Sequence, residues 1–146
     1  MKRLFLLVAL CLTAVGSLAQ AATHSPCTSH LATAPRISLV NDSTVTLTGS
    51  GSIGGCPVPV GVESVTLTVC LQHDGADVSC ASGSRAWSRY TRFARTYGLT
   101  VNAVCSPGLW RTVARGGDGF TPTEWASEQV SFSSADGYSC KEPGGA

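Results

Sequence analysis

The sequence predicts an all-β fold, a small disulfide-stapled immunoglobulin-like β-sandwich, and three observations carry that prediction. Apolar residues recur with period two in short runs rich in Val and Thr. Turn-forming clusters of Gly, Ser, Pro and Asp separate the runs. Six cysteines, an even number, follow an apolar N-terminal leader.

The runs come in order. Ile37 and Leu39 share one parity, and Val45 with Leu47 make a second short run after the turn "NDS". The stretch "GSGSIGGCP" reads as a turn cluster before the longest run, in which Val65, Leu67, Val69 and Leu71 alternate with Thr66 and Thr68. After "DGA" the alternation resumes at Leu99, Val101, Ala103 and Cys105, then passes "SPG" into "LWRTVA" at 109–114. The cluster "GGDGFTP" precedes Val130 and Phe132. Short alternating strands at this spacing, with no long helical period, build a two-sheet sandwich. Residues 22–35 and 141–146 are expected as loose ends tied down only at Cys27 and Cys140. The sequon Asn41-Asp42-Ser43 agrees with a surface turn.

Residues 1–21 have the layout of a secretory signal peptide. Lys2 and Arg3 precede the apolar run "LFLLVALCL", and Ala19-Gln20-Ala21 supplies the small-residue cleavage pattern. That run is far shorter than the ~20 residues of a membrane helix, so no membrane span is expected. Residues 22–146 are then one secreted, extracellular domain. The whole chain carries +1, whereas the mature part holds eight basic and nine acidic residues, a net charge of −1. Such a chain has no global field for nucleic acid, which is not expected as a partner.

Cys11 leaves with the leader, so Cys27, Cys56, Cys70, Cys80, Cys105 and Cys140 remain as three expected disulfides. Zinc sites use close pairs such as CxxC, which do not occur here, so neither a metal nor a cofactor is expected. In "VTLTVCLQ" Cys70 has the opposite parity to Val69 and Leu71 and points away from the core. A three-residue loop, Asp74-Gly75-Ala76, sets it opposite Cys80. Cys105 shares the inward parity of Val101 and Ala103, and Cys56 is assigned as its partner. Cys27 with Cys140 would then join the two ends.

Few residues form a catalytic set. His24 and His30 read as a metal pair or as two solvated tail residues. His73 beside Asp74 and near Asp77 reads as an oriented base, as a metal ligand, or as an exposed turn. Asp118, Glu124 and Glu128 around Trp125 would suit sugar hydrolysis if a groove paired them, and otherwise make a solvated loop. GxSxG is absent, and "GSGSIGG" lacks the Lys and helix of a phosphate loop. No catalytic residue is assigned. Non-enzymatic binding is therefore the expected role. A small hydrolase is the alternative, as is a protease inhibitor presenting residues 106–109 or 116–124.

The stretch "SRAWSRYTRFARTYG", residues 84–98, holds four of the ten basic residues and four of the ten aromatics. As a strand it puts Arg89, Phe93, Arg95 and Tyr97 on one face and Tyr90 with Arg92 on the other. As a helix it lines Trp87, Tyr90, Phe93 and Tyr97 along one side, with Arg85, Arg89 and Arg92 on another. In both, guanidinium groups lie beside rings, the composition of interfaces with proteins and polymers. The competing role is scaffold, with Arg stems covering apolar surface and the rings filling the core.

The run "VCLQ" at 69–72, Cys80 and "CSPGLWRT" at 105–112 resemble a pattern in small exported proteins of actinobacteria. The likeness spans about half of the mature chain. It implies a compact disulfide-stapled β-domain and brings no established activity and no catalytic residue; the expected partner, an unknown protein or cell-surface polymer, follows from residues 84–98 instead. A second resemblance, of architecture, is to the enediyne-binding apoproteins, immunoglobulin-like sandwiches in which a disulfide also closes nine intervening residues, as between Cys70 and Cys80.

Overall fold

In the computed structural model, residues 27–56, 64–86, 96–117 and 122–142 are described, and they form ten antiparallel strands in two sheets. The first sheet is built on β3 (Thr44–Gly54). On one side β1 (Ser29–Ala32) and β2 (Arg36–Asn41) lie end to end along it, and on the other side β6 (Thr96–Val104) pairs with it. The second sheet is built on β7 (Gly108–Gly117), flanked by β4 (Ser64–His73) and by β8 (Thr123–Ala126) with β9 (Val130–Ala135) end to end. β5 (Ala76–Ala86) closes one edge beyond β4, and β10 (Tyr138–Lys141) closes the other beyond β9. The predicted all-β, disulfide-stapled sandwich is the fold the chain adopts. Among the described residues no helix is long and apolar enough to cross a membrane.

Alternation determines what faces inward. Val65, Leu67, Val69 and Leu71 of β4 are all at most 1% exposed, and they meet Val45, Leu47 and Ile53 of β3 with Trp110 and Ala114 of β7. Each such side chain contributes about 1.5–3 kcal/mol by leaving water.

The Gly-rich stretch 49–54 is the second half of an eleven-residue strand, contrary to the expectation of a turn. Gly49 and Gly51 face inward where the other sheet comes close. A Cβ on Gly51 would lie 2.8 Å from Val69 Cγ2 and 2.9 Å from Ala114 Cβ. Close sheet approach therefore explains glycines that resemble turn residues in the sequence.

The length of β3 also corrects two disulfides. Cys105 follows the end of β6 that pairs with Thr46, and its amide donates to Val45 O, whereas Cys56 follows Gly54 at the far end of β3. At ~3.3 Å per residue those ends are on the order of 30 Å apart, so Cys56–Cys105 cannot form. The bridges are Cys27–Cys56, Cys70–Cys80 and Cys105–Cys140. Cys27–Cys140 fails for the same reason: Ser29 pairs with Gly54 beside Cys56, while Ser139 donates to Ser43 O beside Cys105.

The loose end expected over 22–35 is likewise corrected from Ser29 onward. β1 pairs with β3, and the Thr33 amide donates to Ser50 O. At the other end Lys141 belongs to β10, and the Glu142 carboxylate accepts from the Ile37 amide.

The β4–β5 hairpin sets Cys70 opposite Cys80 by a different route from the one expected. His73 pairs with Ala76 across the two-residue turn Asp74-Gly75, both at positive φ, and the register shifts between Leu71 and Gln72. Leu71 faces Ser79 and Gln72 faces Asp77, so Val78 is the extra residue. A bulge thus supplies the offset that a three-residue loop was expected to supply.

Candidate functional site

Two polar clusters and one connection gather the candidate residues. The first cluster lies where the β4–β5 turn meets the β6–β7 connection. His73 stacks on Trp110 with ring centroids 4.6 Å apart, and its Nε2 donates to Pro107 O at 2.8 Å. A carbonyl only accepts, which makes Nε2 the donor, and Nδ1 lies 3.5 Å from the Ser106 hydroxyl. Asp74 Oδ2 lies 3.3 Å from Nε2, while Oδ1 accepts the Leu109 amide at 2.9 Å and the Asp74 amide donates to Leu109 O at 2.8 Å. Trp110 Nε1 donates to Ser106 O at 2.8 Å.

The carbonyls of Ser106, Pro107 and Leu109 are therefore all held from within. The serine, histidine and aspartate form a staple between two loops, and the sequence reading did not single out Ser106. Asp77 does not join them. Gln72 and Asp77 face outward, and His73 shares the inward parity of Leu71.

The second cluster covers the outer face of the second sheet, over the Cys70–Cys80 bridge. Trp110, Thr112 and Ala114 point inward, which turns Arg111, Val113 and Arg115 outward beside Cys70. Arg115 Nη1 donates to Asp77 at 2.9 Å, its Nε donates to Glu124 at 2.6 Å, and Nη1 lies 3.7 Å from Cys70 Sγ. Gln72 Nε2 donates to Asp77 at 2.6 Å, and its Oε1 accepts from Arg111 Nε at 2.8 Å. The Arg115 hydrogen bond, then that from Gln72, holds the Asp77 carboxyl below the usual carboxylate range. The same contacts raise Arg115 further, Asp77 first and Glu124 second. Cys70, Cys80 and Asp77 offer atoms within 4.8 Å of one another, but the two sulfurs are bonded to each other and hold no thiolate for a metal. Sequence reasoning missed Arg111 and Arg115. The alternation in "LWRTVAR" is the signal that places them on one face.

The carboxylates around Trp125 separate. Glu124 faces Arg115, whereas Trp125 points inward, tilted against His30 at 4.7 Å, and its Nε1 donates to Leu31 O at 3.0 Å. His30 is therefore a packed residue under β8 and does not belong to a solvated tail. Asp118 and His24 lie outside the described residues.

Of the segment 84–98, Trp87, Arg89, Tyr90, Arg92, Phe93 and Arg95 lie outside the described residues. Its ends are Arg85, exposed near the end of β5, and Tyr97, half-buried on β6 with its hydroxyl over Gly83. Tyr97 packs against the core and anchors the return of the segment into β6. No protein-family model matches the chain, and no curated protein matches it.

Proposed function

We propose that this chain is an exported, non-enzymatic binding protein that recognises a protein or a cell-surface polymer through residues 84–98. The observation that carries the reading is where this segment starts and ends. Ala86 closes β5, the edge strand of one sheet, and Thr96 opens β6, the edge strand of the other. Tyr97 and Gly83 hold those strands against each other. A segment fixed at both ends on packed strands loses less entropy on binding than a free tail. The nine residues between, 87–95, concentrate Arg and aromatic side chains, the residue types enriched at binding hot spots.

Two further points support the reading. His73, Asp74, Asp77 and Glu124, the groups most suited to acid–base chemistry, are engaged in holding loops or arginines. Three intramolecular disulfides are typical of extracellular proteins, in keeping with the leader at 1–21.

The test is capture from the producing organism's cell wall and culture supernatant. The oxidised protein is compared with its Arg89→Glu/Arg92→Glu/Arg95→Glu variant. A partner retained by the native chain and lost by the variant supports the assignment. Equal capture by both overturns it.

A further inference from the structure

The three disulfides differ in how an external thiol can reach them. Cys105 and Cys140 are 1% and 2% exposed, and Cys27 is 7% exposed beside a half-buried Cys56. The third bridge joins a buried residue to an open one: Cys70 is 1% exposed, while Cys80 is exposed on β5. Thiol–disulfide exchange needs the nucleophile in line with the S–S bond, behind the sulfur attacked. Because Cys70 and Cys80 are directly cross-strand, that line runs from β4 across β5 to the sheet edge.

The leaving side is equally defined. Cys70 Sγ has the Arg115 guanidinium 3.7 Å away, and a cation there stabilises a departing thiolate. Asp77 is the opposing charge, with a carboxylate oxygen within 4.8 Å of both sulfurs, and Arg115 itself is shared with Asp77 and Glu124. Arg111 reaches the group only through Gln72.

We propose that the Cys70–Cys80 bridge is a thiol-exchange site that takes a low-molecular-weight thiol on Cys80 and releases Cys70 as a thiolate held by Arg115. The incoming thiolate forms a bond to Cys80 Sγ as the Cys70–Cys80 bond breaks, and the bonding pair leaves on Cys70. A second equivalent of the same thiol attacks the mixed disulfide, freeing the Cys80 thiolate and giving the small-molecule disulfide. Two electrons thus pass from two thiols to the bridge.

The experiment treats the oxidised full chain with reduced glutathione at neutral pH without denaturant. Samples are quenched in acid, alkylated and mapped by peptide mass spectrometry. The expected first product carries glutathione on Cys80 and an alkylated Cys70, with both other bridges intact. Arg115→Gln should slow the step by about threefold, and Asp77→Asn should speed it by a similar factor. Mere loosening of the outer face would accelerate both variants, so opposite signs identify the electrostatic role. Glutathione first on Cys70, earlier opening of another bridge, or a faster Arg115→Gln variant overturns the proposal.

Discussion

Thr112 sits at the centre of the sandwich with 0% exposure, and its Oγ1 has no hydrogen-bond partner among the described residues. Its backbone is satisfied, because Ser127 Oγ accepts the amide at 3.0 Å and the Ser127 amide donates to the carbonyl at 2.9 Å. Only the hydroxyl is stranded, facing Gly49 and Leu71. A buried unsatisfied hydroxyl costs about 1–3 kcal/mol. Thr112→Val replaces it with a methyl group of slightly larger size, which offsets part of the gain in so close a space. The net expectation is a stabilisation of about 1 kcal/mol, or a rise in Tm of about 4 °C. Thr112→Ser keeps the stranded hydroxyl and loses a buried methyl, a loss of about 1 kcal/mol. Urea unfolding of the oxidised proteins should rank Val above Thr above Ser at constant m. A valine variant less stable than the native chain would show that the hydroxyl contributes a bond after all.

Other expectations follow from the same contacts. Gly51→Ala forces a Cβ against Val69 and Ala114 and should cost about 1–3 kcal/mol, read as a lower urea midpoint. Asp74→Ala removes the acceptor for the Leu109 amide and should cost about 1 kcal/mol, whereas Asp74→Asn keeps an acceptor and tolerates the positive φ. Equal stability of those two variants would show that the staple contributes nothing. Asp77 has a depressed pKa, so its contribution is present above the ordinary aspartate range near pH 4 and is lost as pH falls through the folded value. Asp77 and Arg115 are 35% and 39% exposed, so the effect is well under 1 kcal/mol and shrinks with salt. Urea midpoints from pH 6 to pH 2 should therefore fall slightly more steeply for the native chain than for Asp77→Asn.

What the sequence made legible was local. Alternation in "VTLTVCLQ" set the inward face of β4 and sent Cys70 outward, and Asp74-Gly75 marked the hairpin. One failure is local, the bulge at Val78 that takes the place of the expected three-residue loop; the others are non-local. Gly49 and Gly51 have the composition of a turn, and only the approach of the opposite sheet makes them strand residues. Once β3 is shortened in that way, Cys56 is brought to the wrong end of the molecule and two disulfides are exchanged. β1 is hidden for a related reason: "SHLA" has little strand character, and its pairing comes from the free side of β3. At the candidate site, His73 and Asp74 were visible as a pair. Their partners Ser106, Pro107 and Leu109 lie more than thirty residues later, so their role as a loop staple appears only when the chain is folded.

Arginine footprinting reports whether recognition runs through residues 84–98. The oxidised protein is modified with phenylglyoxal alone and in the presence of the producing organism's cell-wall fraction, and each arginine is quantified by peptide mass spectrometry. Selective protection of Arg89, Arg92 and Arg95, with Arg36 on the first sheet modified equally in both samples, is the predicted result. Unchanged modification of those three arginines alongside protection of Arg36 would place the binding surface on the β2 edge of the first sheet instead, away from residues 84–98.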